Sequence, residues 1–121
     1  MQTKQKRLKF FTINKEKKMT NNLHETYLNN FVIIRTYSAG VFAGTLKQVE
    51  KDQVELKDAI RIWYWEGAFS LSQLAMEGVK KPEECKFAMS VNNILLNNVI
   101  EIIKTTKEAE ENIKGVTPWK K

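Results

Sequence analysis

Arg61-Ile62-Trp63-Tyr64-Trp65-Glu66-Gly67-Ala68-Phe69-Ser70-Leu71-Ser72-Gln73-Leu74-Ala75-Met76-Glu77-Gly78 is the stretch on which the fold turns. Its first part is dense in β-branched and aromatic residues, the composition of a strand. Gly67 stops that strand. Ser70 then stands where a helix N-cap belongs, and Leu71, Leu74 and Ala75 fall at i, i+3 and i+4 on one face of a short helix. Gly78 supplies the helix end. Strand, tight turn and short helix in succession predict a mixed α+β domain.

The residues before this stretch extend the β character. Residues 31–37 read as a strand, Ser38-Ala39-Gly40 as a turn, and residues 41–49 as the partner strand. Glu50-Lys51-Asp52 makes a second turn into residues 53–57, where apolar and polar side chains alternate as on a half-exposed strand. Asp58-Ala59 then leads into a fourth strand over 60–65. Three tight connections in a row predict an antiparallel meander.

After the helix, Lys80-Lys81-Pro82-Glu83-Glu84 reads as a loop and residues 86–91 as a further strand. Residues 94–104 read as one more strand kinked near Asn97-Asn98; an amphipathic helix is the rival, and β-branching favours the strand. Thr105 and Glu108 have capping-box spacing, and residues 107–114 form a terminal helix stopped by Gly115. Trp119 is expected to pack back onto the body. The fold class is thus α+β: a small antiparallel β-meander sheet with a short central helix and a C-terminal helix.

A chain of 121 residues accommodates one domain with a modest core. Residues 31–121 are expected to form it, with residues 1–30 as a basic and polar leader, flexible at least over 1–18. The net charge of +6 is unevenly placed. Lys4, Lys6, Arg7, Lys9, Lys15, Lys17 and Lys18 face a single acid, Glu16, in the first 18 residues, whereas from Met19 onward bases and acids balance. A neutral body gives no basic sheath for long nucleic acid. Met19 is also an alternative translation start.

No apolar run approaches the roughly 20 residues needed to span a bilayer, and no secretory leader opens the chain. The single cysteine, Cys85, cannot form an internal disulfide and suits a reducing cytoplasm; it reads as a small buried thiol.

Catalytic chemistry is disfavoured by composition. The one histidine, His24, lies in the polar lead-in, away from any candidate nucleophile. Cysteine and histidine are too few for an ordinary zinc site, and the five glycines form neither a phosphate loop nor a dinucleotide fingerprint. A non-enzymatic protein without cofactor or metal is expected.

The residues suited to recognition lie in the fourth predicted strand. Strand alternation places Arg61, Trp63 and Trp65 on one face and Ile60, Ile62 and Tyr64 on the other. Indoles beside a guanidinium can stack a purine and pair its phosphate. Arg35 and Tyr37 repeat the spacing of Arg61 and Trp63, and Ser72 and Gln73 add polar groups at the start of the short helix. The competing reading makes both tryptophans core or subunit interface, with Arg61 bonded to a carboxylate or carbonyl.

Residues 32–44, 61–68, 70–78 and Cys85-Lys86-Phe87 together resemble a family of small phage and prophage proteins filed as a domain of unknown function. The central motif Arg61 to Gly78 carries most of the likeness, which spans residues 31–115. Phage proteins of this size and build include sponges, oligomers that bind the cyclic nucleotide or cyclic ADP-ribose signals of the Thoeris and CBASS defences without turning them over. The resemblance therefore implies a cytoplasmic homo-oligomer in an infected or lysogenic bacterial cell, holding a small anionic nucleotide. Rival expectations are a protein–protein inhibitor of a host enzyme and a nucleic-acid binder using the basic leader.

Overall fold

The computed structural model describes residues 23–120. The element order is β1 (Phe31–Thr36), β2 (Val41–Glu50), β3 (Gln53–Tyr64), α1 (Leu71–Glu77), β4 (Lys86–Phe87), β5 (Val91–Leu96), β6 (Val99–Lys104) and α2 (Lys107–Lys114). Every strand pairing is antiparallel. The strands form one six-stranded sheet in the order β4-β3-β2-β1-β6, with β5 also alongside β3. The expected α+β class, with a meander at its start, a short central helix and a C-terminal helix, is the observed one. The expectation for residues 1–18 lies outside the described residues.

β1 is apolar on both faces because both are covered. Phe31 and Ile33 join Ile62, Phe87, Leu74, Ala75 and Ile113 in a core beneath the two helices. Val32 and Ile34 join Phe42, Leu46, Val54, Leu56 and Leu96 in a second core on the opposite face. Neither α1 nor α2 covers that second face; the rolled sheet does, with Tyr27 and Leu28 at the end of the short 3-10 turn before β1 packed against it. β5 and β6 take partners on opposite sides of the β1–β2–β3 meander, so in a flat sheet they would lie four strand spacings apart, roughly 19 Å. Only Asn97 and Asn98 join them, and the three Cα–Cα steps from Leu96 to Val99 span at most about 11 Å. The sheet must therefore roll. Its closure shows in two backbone bonds: Val99 N–H donates to the Asp52 carbonyl, and Tyr37 N–H to the Asn98 carbonyl, both at 2.9 Å.

The roll corrects three strand boundaries. Residues 53–57 and 60–65 are not two strands but parts of β3, because Asp58 adopts φ 52° and is absorbed as a bulge rather than a break. The pairing slips there between Ala43 and Thr45. Gly44 permits the close approach: a Cβ on it would lie 3.1 Å from the Lys57 carbonyl oxygen and 3.2 Å from Ala59 Cα. Residues 94–104 are two strands instead of one, since Asn98 at φ 57° turns the chain between partners. Residues 86–91 are not one strand either; Lys86 and Phe87 pair with β3 beside Tyr64 and Ile62, and Val91 begins β5.

The helices are capped as their sequences dictate, with one shift. Ser70 Oγ accepts from Gln73 N–H at the start of α1. At α2 the cap is Thr106, which accepts from Ala109 N–H, and not Thr105. Thr105 is occupied in donating to the Phe31 carbonyl. Thr106 also donates to the Met76 carbonyl at 2.7 Å, so the cap of α2 fastens the end of α1. Asn112 completes the latch, accepting from Val79 N–H at 2.8 Å and donating to Val79 C=O at 2.9 Å.

Candidate functional site

Among the described residues, two arginines carry the candidate chemistry, and the sheet separates them. Arg35 continues the Phe31–Ile33 side of β1 and sits opposite Glu101 of β6. Its Nε lies 2.5 Å from the Glu101 carboxylate. Arg61 pairs with Phe42, which belongs to the opposite core. The guanidinium lies 4.5 Å from the Phe42 ring centroid, and its Nη1 donates to the Ala39 carbonyl at 2.9 Å. Of the two bonded forms open to Arg61 in the sequence reading, the carbonyl one is observed. Among the described residues no carboxylate lies within ion-pair distance of Arg61 or of Lys86. Arg35 is neutralised; Arg61 keeps its charge.

Arg61 stands at the mouth of a cleft of about 110 Å³ lined by Phe42, Ala59, Met89, Val91 and Ile94. Two residues further along β3, Trp63 is 65% exposed. Its indole is met edge-on by Trp119, with ring centroids 5.1 Å apart and planes at 62°. A backbone bond from Trp119 N–H to the Phe87 carbonyl, 2.8 Å, places that second indole. Lys86, opposite Tyr64 in the β3–β4 pairing, puts its ammonium 5.1 Å from the Trp119 ring centroid. The result is an exposed strip that runs from a guanidinium without a carboxylate partner through two indoles to an ammonium without one. An arrangement of this kind can stack a flat heterocycle and neutralise an attached anion.

Trp65 does not share this strip. It packs partly buried against the helix-side core, with Ala68 and Leu71. The alternation that would have kept it beside Trp63 ends with the strand at Tyr64, because the next residues are held by other bonds. Glu66 N–H donates to the Cys85 sulfur, and Gly67 turns at φ 90° against the backbone of Lys80 and Lys81.

The remaining candidates are dispersed. Tyr37 is 80% exposed just past the end of β1. Ser72 is exposed on α1. The Gln73 amide is committed within its own helix start, its Oε1 accepting from Phe69 N–H at 2.8 Å and its Nε2 donating to Glu77. Of the seven residues singled out in the sequence, Arg61 and Trp63 share a face of β3, while Arg35, Trp65 and Gln73 are engaged elsewhere. The sequence reading missed Lys86, Phe42 and Met89, and it placed Trp119 on the body without giving it a role. Strand pairing and a tail contact bring these residues to Arg61 and Trp63, and neither is written in local periodicity.

Two titrating groups flank the strip. The Tyr64 hydroxyl donates to the Glu66 carboxylate, which holds the phenol proton and pushes its pKa up. Burial pushes the Cys85 thiol up in the same sense, partly opposed by its hydrogen bond with the Glu66 backbone. Among the described residues no group of three or more His, Cys, Asp or Glu side chains is placed to hold a metal ion.

Fold and strip together define a small α+β protein with a rolled antiparallel sheet and an exposed aromatic–cationic surface. The chain belongs to the family described as a domain of unknown function, DUF6948, which it matches over residues 29–113. That span includes Arg61, Trp63 and Lys86 and stops short of Trp119. Comparison with curated proteins finds no match.

Proposed function

We propose that this protein is a non-enzymatic binder of a small anionic nucleotide, which it sequesters through the Arg61–Trp63–Lys86 surface. The observation that carries the reading is an arginine left without a carboxylate partner on the same strand face as an exposed tryptophan. Arg61 and Lys86 pair the phosphate charge, and an indole stacks the base. A body this small encloses little of such a ligand, so the complex forms between copies of the chain. On the resemblance to small phage proteins, the ligand is a cyclic nucleotide immune signal and the biological effect is to blunt a bacterial anti-phage defence in the host cytoplasm. No helix among the described residues is long and apolar enough to cross a membrane.

Thermal unfolding of the full chain against cyclic dinucleotides, cyclic trinucleotides, cyclic ADP-ribose isomers, ATP and short DNA tests this. A ligand at about 100 times its dissociation constant stabilises the fold by roughly 2.7 kcal/mol. One selective shift, with the nucleotide recovered intact after heat release, is the expected result. A flat panel sinks the reading for those ligands, and conversion of the nucleotide would make the protein an enzyme.

A second reading, a protein inhibitor of a host enzyme, is favoured by the full exposure of Phe69 and the exposed Met89 near the cleft. Interface hot spots use the same Trp, Tyr and Arg chemistry. Retention of one host protein by the immobilised full chain, alongside a flat nucleotide panel, would select it.

A further inference from the structure

Trp63 already has an aromatic neighbour, and it belongs to the chain's own C-terminal tail. Val116 is the last residue anchored in the helix-side core. Beyond it Thr117, Pro118, Trp119 and Lys120 are all exposed. The tail is held by one backbone bond, Trp119 N–H to Phe87 C=O, and by the Trp119 ring, which contacts Trp63 edge-on and the Lys86 ammonium. A cleft of about 400 Å³ is lined by Pro82, Glu83 and Cys85 together with Thr117, Pro118 and Trp119 of the tail, so the tail is not closely packed on the body along that length. Indole and purine are both fused bicyclic ring systems of similar size, and here an indole makes an edge contact with Trp63 and lies beneath the Lys86 ammonium.

We infer that residues 117–120 are a displaceable strap, in which Trp119 stands in for the base of a purine nucleotide and yields its place on Trp63 when that ligand binds. This rests on the nucleotide-binding reading above and adds to it the ligand's base class and a built-in competitor. Lys86, released from the indole ring, then meets the phosphate together with Arg61. A site blocked for a fraction of the time binds with an apparent affinity reduced by that fraction. Aromatic edge contacts of this kind are modest, so the tail weakens purine binding by roughly three- to tenfold in the closed form.

The test compares the full chain with W119A, and with a chain ending after Val116 as a second variant that retains every core residue. Two readouts are taken: acrylamide quenching of tryptophan fluorescence, and titration with ATP and with UTP. The strap predicts that both variants quench more per remaining tryptophan than the full chain, because the edge of Trp63 that Trp119 covers is opened. It also predicts that they bind ATP about three- to tenfold more tightly, with a smaller gain for UTP. ATP binding of equal strength in all three chains overturns the strap while leaving the nucleotide reading in place. Unchanged quenching in the variants overturns it as well. No ATP binding by any of the three overturns the strap as a purine competitor, while the nucleotide reading is judged separately by the cyclic-nucleotide thermal panel.

Discussion

Two proton-holding residues bracket the end of β3 and can be followed directly. The Glu66 carboxylate accepts from the Tyr64 phenol, so removing its charge should return Tyr64 toward the ordinary tyrosine range. Titration of phenolate absorbance in E66Q should show one tyrosine ionising at lower pH than in the parent chain. Cys85 is 6% exposed, and its thiol pKa is raised chiefly by burial. The thiolate is the reactive form, so alkylation by iodoacetamide at pH 8 should be slow in the folded protein and fast in denaturant. The sign for stability follows from the same shift. A thiol that holds its proton more tightly when folded contributes fully below its unfolded pKa, and that contribution is lost as pH rises through the folded value. The thermal midpoint should therefore fall on the alkaline side, and less steeply in C85A. A buried lone thiol and the Ser70 cap were legible in the sequence because each depends only on a residue and its near neighbours.

Elements show where such local reading stops. Gly67 was legible as the end of a strand, but what surrounds it was not. A Cβ there would come within 2.4 Å of the Lys80 backbone nitrogen at a φ of 90°. G67A should cost at least about 2 kcal/mol in urea unfolding, from backbone strain combined with a contact that no side-chain rotation relieves. Asn112 is the complementary case, a polar residue in an amphipathic helix whose amide serves both polar groups of Val79. N112A should destabilise the α1–α2 latch by about 1–3 kcal/mol, because it leaves part-buried peptide groups without partners. The span of the α2 helix was readable to the residue from its period, though its N-cap lay one residue later than the capping-box spacing placed it. β3 was not: Asp58 has the chemistry of a turn, and only the close approach of Gly44 to the β3 backbone lets it be absorbed as a bulge.

At the scale of the whole molecule, the rolled sheet decides which candidate residues can cooperate. Alternation within a strand assigned Arg61 and Trp63 to one face correctly. It could not say that Arg35, on another strand, faces the helices and is spent on Glu101. The two arginines should accordingly separate in experiment. R61A should weaken nucleotide binding by about tenfold or more, the loss of a charge-assisted contact. R35A should leave binding unchanged and shift stability by under about 1 kcal/mol, as exposed ion pairs do. Both are read by titration and urea unfolding of the same preparations.

The two-residue Asn97–Asn98 link has a consequence during synthesis. β1 pairs on one side with β2, its neighbour in sequence, and on the other with β6, which leaves the ribosome after every other strand of the sheet. Until residues 99–104 emerge, the nascent meander presents the outer edge of β1, with its run Phe31-Val32-Ile33-Ile34, unpaired. High contact order of this kind slows folding and exposes an aggregation-prone edge. Nascent chains halted with only residues 1–96 outside the tunnel should remain protease-sensitive and chaperone-bound, and those halted past α2 should become resistant together in one step.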